Sequence, residues 1–130
     1  MQKIIFLTII LISVIALPNA FAEVNVQTIL DNLKNPWELE FAPDGKIFFT
    51  ERDGKLWMID NESRLQLVAE FPASNTSEGG LLGLELDPDY ESNHFLYLYQ
   101  TYLDIPTHQN KVIRYTVNNN QLTDELILID

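Results

Sequence analysis

The chain has 130 residues, with 8 Lys and Arg against 19 Asp and Glu, a formal net charge of −11 and no cysteine. The lack of cysteine excludes disulfides, thiolate metal centres, a cysteine nucleophile and an acylated lipoprotein cysteine. The acidic balance argues against nucleic-acid binding, since phosphate contacts need Lys and Arg to displace counterions.

The first element in chain order is a targeting segment. A short basic start, Met1-Gln2-Lys3, leads into the uncharged apolar run Ile4–Leu17, which Pro18 breaks, and Ala20-Phe21-Ala22 supplies a small-x-small cleavage pattern. The run falls short of the roughly 20 residues a membrane span takes, so the pattern predicts a secretory signal peptide over 1–22, cut after Ala22. The alternative is an uncleaved anchor; either way the remainder is expected outside the cytoplasm, secreted or periplasmic. Residues 23–130 hold no apolar stretch of spanning length and suffice for one small domain.

From there the chain reads as all-β. Ile47–Thr50, Lys55–Ile59, Phe95–Tyr99 and Val112–Val117 are short aromatic and β-branched runs. They are separated by the turn formers Pro43-Asp44-Gly45, Asp53-Gly54, Pro88-Asp89 and Asn118-Asn119-Asn120. A repeat organises them, because Leu39-Glu40-Phe41-Ala42-Pro43-Asp44 returns forty-five positions later as Leu84-Glu85-Leu86-Asp87-Pro88-Asp89. Closing runs follow at Leu65–Ala69 and Leu126–Ile129, giving four strands per unit. A four-stranded repeat of about 40–50 residues is the signature of a β-propeller blade. Two unrelated hairpin pairs in a sandwich would explain the strands but not the constant offset. Propellers close with about four to eight blades, so two blades predict the N-terminal part of a longer protein.

Connections in an up-and-down blade alternate between its two ends. One rim therefore collects Asn35-Pro36, Glu51–Gly54, Asn75–Gly80 and Asp104–Asn110. The other takes Pro43–Gly45, Asp87–His94 and Asn118–Gln121. Gly79-Gly80 lets backbone approach a ligand or a neighbouring strand closely, and Glu78 just before it is placed near the propeller axis, where innermost strands begin. Glu78-Gly79-Gly80-Leu81-Leu82-Gly83 is no dinucleotide fingerprint, lacking both the spacing and a following helix. Asp87-x-Asp89-x-Glu91-x-Asn93 lacks the turn glycine and terminal glutamate of an EF-hand and reads as a solvated turn. His94 reads as a surface residue, whereas His108, on the rim with Glu78, could touch substrate. Trp37, Phe41, Phe48, Trp57, Tyr97 and Tyr99 are expected between blades. Asn61-Glu62-Ser63 and Asn75-Thr76-Ser77 fit the glycosylation pattern. No nucleophile–base set, phosphate loop or metal-ligand cluster is legible.

Three stretches in register, Asn35–Gly45, Thr50–Leu56 and Glu78–Tyr90, make residues 28–130 resemble the soluble glucose/sorbosone dehydrogenase family, quinoproteins that include aldose sugar dehydrogenases. The resemblance implies a six-bladed propeller, export, and pyrroloquinoline quinone (PQQ) held with calcium in a funnel on the top face. It implies oxidation of a sugar hydroxyl by hydride transfer to the quinone, with a His as general base and an electron acceptor as partner. That His belongs to a segment after the second blade, so no catalytic residue and no metal ligand is expected within 1–130, and the 130-residue chain alone is expected to be inactive. One position transfers: the residue before Gly79-Gly80 lies at the cofactor pocket, making Glu78 the cofactor-binding candidate. Glucose dehydrogenases of the family carry Gln there, and a carboxylate beside an anionic cofactor is costly unless protonated or calcium-paired. The alternative reading is a non-catalytic, extracytoplasmic binding propeller of the same lineage.

Overall fold

A computed structural model describes residues 24–130; the signal peptide expected over 1–22 lies outside the described residues. Eight strands form two four-stranded antiparallel meanders. β1 (Pro36–Phe41), β2 (Ile47–Glu51), β3 (Lys55–Ile59) and β4 (Leu65–Glu70) make the first sheet. β5 (Leu81–Leu86), β6 (Phe95–Asp104), β7 (Thr107–Asn118) and β8 (Gln121–Ile129) make the second. The repeat read from the sequence is thus one sheet per copy, each a propeller blade.

Turn chemistry sets the register of each hairpin. Gly45 takes φ 88° in the β1–β2 turn and Gly54 takes φ 109° in the β2–β3 turn, a region that penalises other residues. Asn119 and Asn120, at φ 48° and 62°, close the two-residue β7–β8 hairpin, where consecutive positive φ values match the strand twist. Two features differ from the sequence expectation. Tyr90–Asn93 forms one helical turn, ended by His94 in the left-handed region, whose N–H donates to the Tyr90 carbonyl. The second blade's strands also run further than their apolar cores. β6 and β7 stay paired from Phe95–Thr116 out to Asp104–Thr107, so most of the expected loop Asp104–Asn110 is a protruding hairpin. Backbone pairing sustains that extension, and its polar side chains carry no apolar alternation to reveal it.

The core lies between the sheets. Phe48, Leu56 and Met58 from the first blade meet Leu81, Leu84, Leu86, Leu96, Leu98 and Ile113 from the second, all nearly inaccessible. Each such side chain contributes about 1.5–3 kcal/mol on burial. Thr50, also fully buried, crosses the junction: its hydroxyl donates to the Leu82 carbonyl at 2.7 Å and accepts from the Glu38 N–H at 3.2 Å. The strands β1 and β5 lie close together, while β4 and β8 barely touch, so the sheets diverge like adjacent wedges.

Of the six aromatic residues expected between blades, only Phe48 fills this junction. Strand alternation sends the others to the outer faces. Trp37 and Phe41 are 49% and 70% exposed. Trp57 stacks on Phe49 with ring centroids 6.5 Å apart. Tyr97 and Tyr99 face outward from the second sheet. An open apolar groove of about 490 Å³ runs along the first sheet's outer face, beneath Ile29, Leu33, Trp37, Leu39 and Phe41.

Candidate functional site

The upper rim is assembled by backbone contacts between loops distant in sequence. Arg52 N–H donates to the Asn35 carbonyl, Phe71 N–H to Gly54, Ser74 N–H to Thr101, Leu81 N–H to Arg52 and Thr101 N–H to Gly80, all within 2.8–3.2 Å. These bonds tie together the loops that blade alternation assigned to one end.

Two glycines permit this closeness. A Cβ on Gly80, at φ 147°, would sit 2.6 Å from the Arg52 carbonyl oxygen, and one on Gly79 would sit 2.5 Å from that of Ser74. The neighbour requiring Gly79-Gly80 is therefore the chain itself. Arg52 holds the same turn with its side chain. Nη2 donates to the Ser77 carbonyl at 2.6 Å and to the Gly79 carbonyl at 2.8 Å, and Nε donates to Gly79 at 3.2 Å. The guanidinium also lies 5.5 Å from the Trp37 ring centroid. Arg52 was legible only as part of the Thr50–Leu56 stretch; nothing in its sequence neighbourhood marks a contact with residues 77–79.

Glu78 occupies the centre of that clamped turn, exposed and with no side-chain hydrogen bond or ion pair among the described residues. Beside it, the Ser74 hydroxyl lies 3.0 Å from His108 Nδ1 and the Thr76 hydroxyl 3.5 Å from Nε2. His108 stands on β7, in the protruding hairpin opposite Leu103, so the structure places it on the rim with Glu78 and engages it with the 74–76 loop. For Glu51, placed on this rim by the sequence, the structure adds burial and two donors that no sequence pattern marks. Glu51 is 4% exposed and accepts from the Lys34 N–H and from Trp57 Nε1, the latter at 2.9 Å.

The lower rim is built from local turns, three of them closed by an aspartate. Asp87 accepts from Tyr97 Oη, Asn93 Nδ2 and its neighbour Asp89 N–H, and the Tyr97 and Asn93 bonds hold its carboxyl below the usual range. Those bonds occupy the carboxylate that a calcium loop over 87–93 would need free. Asp60 is likewise held low by the Arg64 N–H and guanidinium. Asp44, although burial acts the other way, is held low by the Lys46 ammonium and N–H. His94 sits here too, edge-on to Tyr90 and away from Glu78. Asn61, a possible glycosylation site by sequence, donates from Nδ2 to the Asp44 carbonyl, whereas Asn75 is free at the surface of the upper loop.

Among the described residues no group of three or more His, Asp or Glu side chains is placed to hold a metal ion. On the rim that carries Glu78, the exposed carboxyl groups without a side-chain partner among the described residues include those of Glu78 and Asp104. No helix among them is long and apolar enough to cross a membrane.

Comparison with known proteins gives the same picture of the fold and adds the family. A family model described as glucose/sorbosone dehydrogenase matches residues 33–130. Quinoprotein glucose dehydrogenase B of Acinetobacter calcoaceticus is 32% identical over 126 residues, spanning 84% of this chain and 26% of that protein. The PQQ-bound form of aldose sugar dehydrogenase from Streptomyces coelicolor superposes with a TM-score of 0.70 at 28% identity, over 80% of this chain and 32% of that one. The soluble aldose sugar dehydrogenase of Escherichia coli, in its apo form, shares the fold at 23% identity with a TM-score of 0.73, over 81% of this chain and 32% of that one. The chain thus spans about a quarter to a third of the length of these relatives. With the three sequence stretches folded into two adjacent blades and the family model running through both, the chain belongs to the glucose/sorbosone dehydrogenase family.

Proposed function

We propose that the protein is an exported, PQQ-dependent dehydrogenase of aldose-type sugars, in which residues 23–130 supply two blades and Glu78 touches the quinone. The observation carrying this reading is the clamped Glu78-Gly79-Gly80 turn. There, an ionisable side chain without a partner among the described residues is presented from backbone held by both blades. When bound, the quinone would accept the hydride equivalent from the sugar. Glu78 would contribute one polar contact: protonated, its carboxyl donates a single hydrogen bond, and ionised it only accepts. A proton or a cation on that carboxyl would let it stand beside an anionic cofactor.

The reading places the general base, a His, and the calcium ligands outside residues 24–130, and assigns residues 1–22 to a cleaved export signal. It is supported by the PQQ-bound Streptomyces relative and by the name of the Acinetobacter quinoprotein. The test is to add PQQ and calcium to the full-length protein and follow sugar-dependent reduction of an electron-accepting dye. Reduction that requires the quinone and an aldose is expected. No reduction with any aldose, despite bound quinone, would favour a non-catalytic binding propeller instead.

A further inference from the structure

We propose that Arg52 is the positioning residue of this site: its guanidinium, forked onto the carbonyls of Ser77 and Gly79 and lying 5.5 Å from the Trp37 ring centroid, fixes the backbone that carries Glu78. The inference rests on the quinone reading above for its functional consequence, but the clamp itself stands on geometry alone. Ser77 takes φ 53° and Gly80 φ 147°, so Glu78 lies between two positions in the left-handed half of backbone space. Such a turn persists only where its surroundings hold it. Its internal support is one backbone bond, Gly79 N–H to the Thr76 carbonyl at 2.9 Å. Thr101 N–H holds the Gly80 carbonyl at 2.8 Å, and Arg52 holds the segment carrying Glu78: its own carbonyl accepts from Leu81 N–H while its side chain spans the carbonyls on either side of Glu78.

The chemistry selects arginine. A planar, permanently charged guanidinium can reach two carbonyls and lie over an indole at once. A lysine ammonium offers a point charge on a flexible stem and cannot satisfy the same set. Arg52 therefore carries first-blade geometry into a second-blade turn, and motion between the blades would move Glu78 through it.

The experiment uses the full-length protein, its R52A, R52K and E78Q variants, and PQQ with calcium as the probe. Three quantities are read: hydrogen exchange at residues 77–80, the thermal midpoint and quinone affinity. R52A is expected to speed exchange at Gly79 by about tenfold or more and to weaken quinone binding by about tenfold or more, the scale of one strong polar contact. R52K is expected to fold with a midpoint near that of wild type and still show weakened binding, separating positioning from folding. Millimolar guanidinium, but not ammonium, is expected to restore binding to R52A. Wild-type exchange at residues 77–80 in R52A overturns the proposal whatever the quinone does. Wild-type affinity in both Arg52 variants, with E78Q impaired, overturns the proposal and leaves the quinone reading standing. If wild-type protein takes up no quinone, or E78Q binds as wild type does, the reading of the site falls, and the functional half of the proposal with it.

Discussion

The two rims of this blade pair are stabilised by different means. On the lower rim three turns are closed within a few residues by their own aspartates: Asp44 to Lys46, Asp60 to Glu62 and Arg64, Asp87 to Asp89 and Asn93. On the upper rim the partners are tens of residues apart, joining Arg52 to residues 77–81 and Ser74 to Thr101. Local closure makes a rim that each blade can form alone. Long-range closure makes one whose shape exists only when the blades are docked, which is what a ligand site shared between blades requires.

Glycine substitutions break this contrast most strongly. Gly54→Ala and Gly80→Ala would each drive a Cβ onto a backbone oxygen, 2.2 Å away at Phe71 and 2.6 Å away at Arg52, from a positive-φ position. Each is expected to destabilise the full-length protein by about 3 kcal/mol or more. Gly45→Ala on the lower rim meets only the Asn61 side-chain oxygen, at 2.7 Å, which can swing away; about 1 kcal/mol is expected there. Denaturant unfolding of the three variants checks the order, and equal losses would erase the distinction between rims.

Thr50→Val comes next. It removes the hydroxyl that joins Leu82 to the first blade while keeping the volume, at an expected loss of about 1–2 kcal/mol in the same assay. Larger loss at the blade junction than at any exposed turn hydroxyl would sharpen the claim that docking holds the upper rim.

The lower rim should carry pH sensitivity of both signs. Asp44, Asp60 and Asp87 have folded values below their ordinary ones. The stability they contribute is present above the ordinary carboxylate range and is lost as pH falls through the folded values. Asp87→Asn should therefore lower the thermal midpoint at neutral pH and flatten its decline in acid. Tyr90 runs the other way. Burial first, then Asp44, pushes its phenol up to about 12, so its contribution is intact below the ordinary value of 10.0 and fades as pH rises from there toward 12. Tyr90→Phe should flatten that alkaline decline, read from midpoints across the range.

How far the sequence reveals this arrangement follows from which interactions are periodic. Strand alternation and turn residues repeat at the forty-five-residue offset, so blade number, strand order and the division into rims were legible. Contacts that depend on how one blade sits against the next were not. The Arg52 clamp joins residues with no shared pattern, and the buried Glu51 lies among charged neighbours that look solvated in sequence. The β6–β7 hairpin kept its pairing through polar residues that read as a loop. The place of residues 75–80 on one rim followed from blade alternation, while the Arg52 support of the turn that carries Glu78 did not.

The smallest expected effect on folding is that of Glu78→Gln. An exposed carboxyl without partners among the described residues should change stability by no more than about 0.5 kcal/mol, so any change in quinone affinity reports on binding alone. The most direct measurement of the central claim is a structure of the full-length protein with PQQ bound. The account predicts the Glu78 carboxyl within about 3 Å of a polar quinone atom, on the rim that Arg52 organises. Quinone bound against the Asp44–His94 rim instead, with Glu78 facing solvent, would contradict it.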